Sequence, residues 1–349
     1  MRAITERMTS STRSDRDRGA ILIWFSAFAL VILGSGALVI DMGALWSERR
    51  QLQNGADAAA LAVAVDCAKM ACTQSQQTAL NYAKLNAADG EASVVLCGKG
   101  AGLRLCTQEP AGVSAAVGYV QALTSTWNPG SGGPSDQVRF ILAPFLDSLQ
   151  VGQTVRASAT VAWGSLGTAR VLPLVISKCS FNPAWVANDG SLSIPDTEIE
   201  ITSNDNKLCS RGWSSGFDFL ADSTKSCALV TVEIGSGGTR LDAGSEGMLP
   251  QCRPVLQALY EAREPFIVAI AASRTPPSSR STYTVDGFAS FNLCGFALGG
   301  GYNENRCKTI CRGSNSQRRI CGTFKTLTFN SGEFGYGTDY GARVLRVVG

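Results

Sequence analysis

The apolar and polar positions divide the chain into a helical N-terminal part and a strand-rich remainder. Residues 20–40 form an apolar run of 21 residues without a charged side chain. A helix of that length, at about 1.5 Å per residue, extends roughly 31 Å and matches the hydrocarbon core of a bilayer. The run therefore predicts a transmembrane helix over residues 20–40.

The helical pattern continues beyond this run. Gly55 is the only glycine between Gly43 and Asp66, and no proline precedes Pro110. We therefore predict one helix from about residue 20 to residue 66, in which residues 41–66 are a stalk that lies on the body. The alternative is a separate amphipathic helix that follows a short loop. The apolar face of the stalk, at helical spacing, consists of Leu45, Leu52, Ala56, Ala59, Ala60 and Val63.

Shorter elements follow the stalk. Residues 75–88 show a second helical pattern, which Gly90 ends. Residues 94–97 and 103–106 are predicted to pair as a hairpin around a glycine-rich loop. The other predicted elements here are a short helix at residues 141–149 and a strand at residues 155–163. The second helix is predicted to place on one face Ala79, Tyr82, Ala83 and Leu85.

From residue 171 the helical patterns become sparse, and glycine, serine and cysteine become frequent. This part is predicted to be mainly β, with long loops. A group of late aromatic residues is expected to pack in its core. The aromatic residues are Phe288, Phe291, Phe296, Tyr302, Tyr336 and Tyr340. The predicted strands are 171–176, 229–234, 266–271, 324–329 and 343–348, and residues 252–260 are a predicted helix.

The arginines around the apolar run predict its orientation. Five precede it, at positions 2, 7, 13, 16 and 18, whereas only Arg49 and Arg50 follow closely. Basic residues are retained on the cytoplasmic side of a membrane helix. The N-terminus is therefore predicted to lie inside, and the body outside, the cytoplasm. The net charge of +3 is spread without a basic stripe, so we expect no nucleic-acid partner.

The cysteines support an external body. There are twelve, and all lie beyond the apolar run. In a chain that crosses a membrane, this even number predicts disulfides in an oxidising compartment. Cys97 with Cys106 is one candidate pair, and Cys67 with Cys72 is another if the helix breaks between them. The remaining eight are expected to pair among themselves: Cys179, Cys209, Cys227, Cys252, Cys294, Cys307, Cys311 and Cys321.

These patterns predict the α+β class: a long N-terminal transmembrane-plus-stalk helix followed by a disulfide-rich, mainly β extracytoplasmic body. The predicted divisions are a cytoplasmic tail (1–19), the membrane helix (20–40), the stalk helix (41–66), an α+β extracytoplasmic region (67–170) and a cysteine-rich, mainly β region (171–349). A cleaved signal peptide is the alternative for the N-terminus, because Gly34 to Ala37 are small. Against it, Leu38 to Ile40 prolong the apolar run.

Candidate chemistry is sparse. The chain has no histidine, which removes the commonest general base and metal ligand. The closest cysteine spacings, Cys307–Cys311 and Cys67–Cys72, are too wide for a zinc knuckle or a C-x-x-C redox pair. We therefore expect no enzymatic activity, no catalytic residue, no cofactor and no metal site. No small-molecule substrate is expected either.

Two weaker patterns point the other way. Asp189 to Ser193 spell D-x-S-x-S, the opening of a known Mg²⁺ site, but the motif lacks the apolar strand that should precede it, and Pro195 follows. We interpret it as a polar turn. Carboxylates that could pair for glycoside hydrolysis are more simply surface acids. These carboxylates are Asp218, Asp222, Glu233 and Glu261.

One segment resembles a known family. Arg18-Gly19-Ala20 precedes the apolar run, Asp41-Met42-Gly43 follows it, and Arg50 to Ala62 read RQLQNGADAAALA. Together these residues resemble the N-terminal module of TadG-like proteins, which belong to the TadE/TadG family of bacterial Tad (Flp) pilus assembly. The specific likeness covers residues 18–66. Residues 81–90 and 155–161 resemble the helix and strand that follow in that family.

The resemblance also contains a departure. Pilins and pseudopilins carry a glutamate shortly after the glycine where their leader is cut, whereas Gly19 is followed by AILIWF. The likeness therefore implies a permanently anchored accessory protein that keeps its N-terminal tail. It implies a structural or assembly component of a Tad pilus in the bacterial inner membrane, with a contribution to adhesion. The expected partners are the lipid bilayer and other Tad pilus proteins. The alternative is a membrane-tethered extracytoplasmic binding module or enzyme.

Overall fold

The computed structural model describes residues 12–69, 72–100, 102–127, 136–146, 149, 151–181, 185, 192–203, 216–221, 227–243, 251–275, 282–299, 301–308, 310–311, 317–330 and 332–348. A long N-terminal apolar helix precedes a mainly β body with several cysteine pairs at disulfide distance, so the predicted fold class is confirmed. The helices are α1 (Thr12–Ala68), α2 (Ser75–Leu85), α3 (Ala143–Leu146) and α4 (Cys252–Ala262).

The rest of the described chain contains eighteen strands. The first nine are β1 (Ser93–Lys99), β2 (Gly118–Ser125), β3 (Val138–Arg139), β4 (Gly152–Gln153), β5 (Arg156–Ser165), β6 (Thr168–Val171), β7 (Leu174–Ser177), β8 (Ile199–Thr202) and β9 (Phe217–Phe219). The others are β10 (Val230–Glu233), β11 (Thr239–Asp242), β12 (Phe266–Arg274), β13 (Thr282–Ala297), β14 (Asn303–Asn305), β15 (Arg319–Lys325), β16 (Leu327–Phe329), β17 (Thr338–Tyr340) and β18 (Ala342–Val347).

The chain divides into two compact units, each built from separate segments. The first comprises Met1–Ala56, Ala83–Val94 and Thr124–Ala157. Within it, a Cβ placed on Gly55 would lie 3.3 Å from both Cα and O of Ala83, so only a small residue fits at this point of α1. Thr124 Oγ1 donates to the carbonyl oxygen of Leu52 over 2.9 Å. β3 and β4 pair antiparallel in the same unit.

The second unit comprises Asp57–Tyr82, Val95–Leu123 and Ser158–Gly349. One sheet has the strand order β1-β2-β5-β18-β16. A larger sheet runs β8-β15-β13-β12-β7-β9, and β11, β14 and β17 also pair with β13. The side chains of β13 alternate between buried and half-buried positions near its start, and most of the others are buried. This strand therefore forms the centre of the larger sheet.

The hydrophobic core of the second unit is rich in aromatic residues. Phe288, Phe291, Phe296 and Tyr340 are buried, as expected from the sequence. Phe291 packs edge-on against Phe324, with ring centroids 5.2 Å apart, a geometry that aromatic quadrupoles favour. Tyr302 is half-buried and stacks on Phe296. Tyr336 is 77% exposed, so its expected place in the core was wrong.

Several local predictions need correction. The predicted hairpin is wrong, because residues 103–106 form no strand and β1 instead neighbours β2. The Gly98 amide of β1 donates a hydrogen bond to the Arg104 carbonyl oxygen over 2.7 Å. α2 ends at Leu85, and its predicted apolar face is wrong in part: Tyr82 and Leu85 are 44% and 79% exposed. Of the described residues within the helix predicted at 141–149, Ala143–Leu146 are helical.

Each predicted strand in the remainder overlaps a described strand, but the boundaries differ, and six described strands have no predicted counterpart: β8, β9, β11, β13, β14 and β17. Residues 171–176 contain the end of β6 and most of β7, and residues 324–329 contain the end of β15 and all of β16. Residues 229–234, 266–271 and 343–348 correspond to β10, β12 and β18, and α4 covers the predicted helix. The longest strand, β13, was not predicted at all.

Candidate membrane anchor and its attachments

α1 is continuous from Thr12 to Ala68, so the predicted membrane and stalk segments form one helix. Among the described residues, it is the one helix long and apolar enough to cross a bilayer, with a mean hydropathy of 2.3 in its most apolar window. None of that window is buried by the protein. In water such a surface would be strongly unfavourable, and a lipid environment relieves this cost.

Two exposed tryptophans lie on α1, one within the apolar run and one beyond it. Trp24 is 77% exposed and Trp46 is 68% exposed. Twenty-two helical steps separate them, which at about 1.5 Å each corresponds to roughly 33 Å. Tryptophan is enriched at both membrane–water interfaces because its ring is apolar and its N–H is polar. Trp46, six residues beyond the end of the apolar run, fits the interface on the Asp41 side, whereas Trp24 lies within the run.

Asp41 follows the apolar run directly and makes an unusual set of hydrogen bonds within the first unit. Its Oδ1 accepts from the backbone N–H of Ile141 over 2.9 Å. Its Oδ2 accepts from the N–H groups of Leu142 (3.1 Å) and Ala143 (2.6 Å). These donors precede and begin α3, where backbone N–H groups have no partner inside a helix. Asp41 therefore caps α3 from a distant part of the sequence.

The electrostatics of Asp41 follow from this geometry. The side chain is only 6% exposed, and burial by itself raises the pKa of a carboxyl group. The three backbone hydrogen bonds outweigh burial and hold the pKa of Asp41 below its usual value. The carboxylate is therefore charged at neutral pH, and the hydrogen bonds favour that form. The sequence identified Asp41 only as part of the family resemblance and did not predict its role as a cap.

The C-terminal end of α1 is capped as well, within the second unit. Arg343, in β18, is 2% exposed. Its Nη1 donates to the carbonyl oxygen of Ala68, and its Nε and Nη2 approach Oδ2 of Asp339 at 2.8 Å and 2.7 Å. In the preceding turns of α1, Ala59, Ala60, Val63 and Ala64 are fully buried.

The structure brings most of the candidate cysteines together in pairs. Cys67 and Cys72 have Cα atoms 4.4 Å apart, and α1 ends between them. The sulfurs of Cys97 and Cys106 lie 2.03 Å apart, although no hairpin joins them. The other described pairs are Cys227–Cys252, Cys294–Cys307 and Cys311–Cys321. Cys179 is also disulfide-bonded, and Cys209 lies outside the described residues.

Two of these disulfides are neighbours. The sulfurs of Cys307, Cys311 and Cys321 all lie within 4.8 Å of one another. They do not make a metal site in this state, because each belongs to a disulfide and a metal needs thiolates. A Cβ on Gly295 would lie 3.1 Å from the sulfur of Cys307 and 3.2 Å from that of Cys311. Gly295 thus leaves the space that both disulfides occupy.

A polar hollow of about 800 Å³ lies on the second unit. It is lined by four basic side chains, two acidic ones and several polar groups. Lys325 Nζ is 2.5 Å from Asp196 Oδ1. The Glu198 carboxylate accepts hydrogen bonds from the backbone amide of Lys308. The guanidinium of Arg306 lies 3.5 Å above the ring of Tyr260. The charged residues that line the hollow are Asp196, Glu198, Arg263, Arg306, Lys308 and Lys325.

The weaker candidates of the sequence have ordinary surroundings. Asp218 accepts a hydrogen bond from the hydroxyl of Tyr283. The pKa of Tyr283 is raised, chiefly by burial and secondarily by the neighbouring Asp218 carboxylate. Glu261 accepts from the amide of Gln257 over 2.8 Å, and Glu233 is exposed on β10. Asp222 and residues 189–191 of the D-x-S-x-S pattern lie outside the described residues. The expectation that the chain is not an enzyme stays a prediction.

The comparison with known families bears on α1. The Tad family, described as "Putative Flp pilus-assembly TadE/G-like", matches residues 19–66. The match begins one residue before the apolar run and ends two residues before the end of α1. It agrees with the resemblance noted from the sequence. No curated protein and no solved structure matches the chain.

Proposed function

We propose that the chain is a single-pass, membrane-anchored structural or assembly component of a Tad (Flp) pilus system, with a contribution to adhesion. The observation that carries the proposal is the coincidence of the Tad match, residues 19–66, with the exposed apolar helix. A Tad domain supports a pilus-related role, and the apolar helix fits a single-pass protein in such a system. The partners in this proposal are lipid and other Tad pilus proteins.

In this proposal the N-terminus lies in the cytoplasm and the body outside the inner membrane. The excess of arginine before residue 20 supports that orientation. The disulfide pairs of the body also support it, because disulfides persist in oxidising compartments. A fusion of alkaline phosphatase after Gly349 should be active, since this enzyme folds only outside the cytoplasm. An inactive fusion of full length would overturn the orientation.

The same proposal predicts that the N-terminal tail is kept. Intact-mass measurement of the membrane-extracted protein should match a chain that still contains the residues before Gly19. An N-terminus at Ala20 would show processing like that of a pilin. An N-terminus near Leu38 would show a signal peptide and would remove the anchor.

Assembly is tested by co-purification. The tagged full-length chain, solubilised in mild detergent, should retain other Tad pilus proteins. Cells that lack the chain should lose surface pili and adhere less. The matched control replaces residues 20–40 with the membrane helix of an unrelated single-pass protein, which keeps the anchor and changes only its sequence. If cells that lack the chain form normal pili, the assembly role is wrong.

The second candidate function is a membrane-tethered binding module, favoured by the hollow. Its four basic side chains outnumber its two acidic ones, so an acidic ligand suits it. This candidate function is tested by titrating the full-length protein with glucuronate or phosphate and measuring the heat of binding by calorimetry. Arg263→Gln should weaken any binding, and Arg346→Gln, an exposed change outside the lining, should not. Absence of binding up to millimolar concentrations would count against this function.

A further inference from the structure

A loop of the first unit is held beside the end of the apolar run. β3 and β4 pair at its base, with Val138 opposite Gln153 and Arg139 opposite Gly152. The amide of Phe140 donates to the carbonyl oxygen of Val151 over 3.1 Å and extends this closure. The residues that begin the loop therefore have a fixed backbone.

Asp41 sets the height of this loop along α1. Its carboxylate accepts hydrogen bonds from three successive amides, those of Ile141, Leu142 and Ala143. Asp41 is the first residue after the apolar run of residues 20–40. If residues 20–40 fill the hydrocarbon core, the start of the loop lies at the boundary between hydrocarbon and headgroups.

The loop exposes large apolar side chains. Ile141 is 66% exposed, Leu149 is 85% exposed and Val151 is 50% exposed. From Phe140 to Leu146 the sequence reads FILAPFL, which contains no charge and no polar side chain. Single exposed aliphatic side chains are common on protein surfaces. Three on one short loop beside a membrane helix instead form an apolar patch of the type that marks an interaction site.

We propose that Ile141, Leu149 and Val151, the collar surface, insert into the headgroup and acyl boundary of the bilayer and give the protein a second membrane contact beside its helix. This inference rests on the proposed membrane anchor. Apolar side chains at the interface gain free energy by leaving water, and a charged cap on α3 keeps the neighbouring backbone amides satisfied. The contact orients the first unit against the membrane, which a single helix alone does not do.

Photo-crosslinking in a defined bilayer tests the collar surface. The full-length protein is placed in nanodiscs of phosphatidylcholine and phosphatidylglycerol, with benzoylphenylalanine at one chosen position. The test position is Ile141. The matched control is Leu85, which is also an exposed aliphatic residue of the first unit. Ala88, three residues after Leu85, donates to Gln51 Oε1. Gln51 lies ten helical steps beyond Asp41, or about 15 Å farther along α1.

A third probe at Val31, which is 64% exposed within the apolar run, distinguishes a failure of the collar surface from a failure of the membrane anchor. Mass spectrometry should find lipid adducts at Val31 and Ile141 and several-fold fewer at Leu85. Adducts at Val31 but not at Ile141 overturn the collar surface and leave the anchor intact. Adducts between two protein copies at Ile141, without lipid, overturn it in favour of self-association. No lipid adduct at Val31 overturns the anchor and the collar surface together.

Discussion

The Nη1 of Arg343 donates a hydrogen bond to the carbonyl oxygen of Ala68, over 2.5 Å and across 275 positions of the chain. Ala68 is the last residue of α1, where carbonyl groups lack a partner inside the helix. The guanidinium is also paired with Asp339, and both side chains are largely buried. One strand near the C-terminus thus completes the helix that begins near the N-terminus.

We expect Arg343→Met to destabilise the protein strongly. The change leaves the Asp339 carboxylate without its cation and the Ala68 carbonyl without its donor. Removing one partner of a buried ion pair typically costs about 3–5 kcal/mol of unfolding free energy. Urea denaturation in detergent, followed by tryptophan fluorescence, measures the loss. Arg346→Met is the matched control, since Arg346 lies on the same strand and is exposed; it should change stability by less than about 0.5 kcal/mol.

The double change Arg343→Met with Asp339→Asn separates the ion pair from the helix cap. If the unpaired carboxylate causes most of the loss, the double variant should be more stable than Arg343→Met alone, because neighbouring sites are coupled. Equal stability of the two variants would instead assign the loss to the Ala68 carbonyl.

The N-terminal helix could be predicted because its signal is local. Twenty-one uncharged residues, followed by a face of Leu52, Ala56 and Val63 with no proline, leave little choice of structure. Even its end was anticipated by Cys67 and Cys72, whose pairing needs a break in the helix. The helix and its end depend on residues close in sequence, so the spacing of apolar residues and cysteines is enough to predict them.

β13 could not be predicted for the opposite reason. Its sixteen residues contain Gly287, Gly295 and several polar side chains, which are depleted in ordinary strands. Gly287 is required by β17, since a Cβ there would lie 2.4 Å from the Thr338 carbonyl oxygen. The glycine that weakens its strand pattern thus accommodates a partner strand that begins 41 residues beyond the end of β13, although β12 and β14 flank β13 in the sequence. The caps made by Asp41 and Arg343 were missed for the same reason, because each has its partner a hundred or more positions away.

Asp41→Asn should loosen the start of α3. The amide keeps one acceptor oxygen but loses the charge, and hydrogen bonds to a charged acceptor are the stronger ones. Hydrogen exchange at the amides of Ile141, Leu142 and Ala143 should become faster in the variant. Asp89→Asn, an exposed carboxylate of the same unit, should leave these three amides unchanged. Unchanged protection in Asp41→Asn would show that the backbone alone holds this turn.

The pH dependence of the Asp41 cap has a definite sign. Its pKa in the folded protein is lower than its ordinary value of 3.8. The folded state therefore binds this proton less tightly than the unfolded chain, and the stabilisation is fully present above pH 3.8. It should be lost as pH falls below 3.8 through the lower folded pKa. Protection factors at Ile141 to Ala143, corrected for intrinsic exchange, should decline in that window in the wild type but not in Asp41→Asn.

Gly55→Val should separate α1 from the segment that contains Ala83. A Cβ at Gly55 is already 3.3 Å from the backbone of Ala83, so the two methyl groups of valine have no space. Overpacking of this kind typically costs about 1–3 kcal/mol. Gly43→Val is the control, because a Cβ at Gly43 has no neighbour within 4 Å. Denaturation midpoints should fall for the first variant only, and equal midpoints would contradict the close approach.

Gly295→Ala should disturb two disulfides with one methyl group. The added Cβ would lie 2.9 Å from the carbonyl oxygen of Glu304, closer than real Cβ atoms come, and within 3.2 Å of the sulfurs of Cys307 and Cys311. Glu304 belongs to β14, which pairs with β13 at Phe296, so relief requires either the strand or the sulfurs to move. We expect a loss of about 1–3 kcal/mol, as for other overpacked sites.

Labelling of thiols under mild reduction should show where the strain is relieved. In Gly295→Ala, Cys294, Cys307, Cys311 and Cys321 should be reduced and alkylated sooner than in the wild type, because their surroundings pack less well. The distant pair Cys97–Cys106 should react at an unchanged rate in both proteins. Gly235→Ala is the matched control, since a Cβ there meets no atom within 4 Å. If Gly295→Ala is as stable as this control and its four cysteines react no faster, the close packing of the two disulfides around Gly295 is wrong.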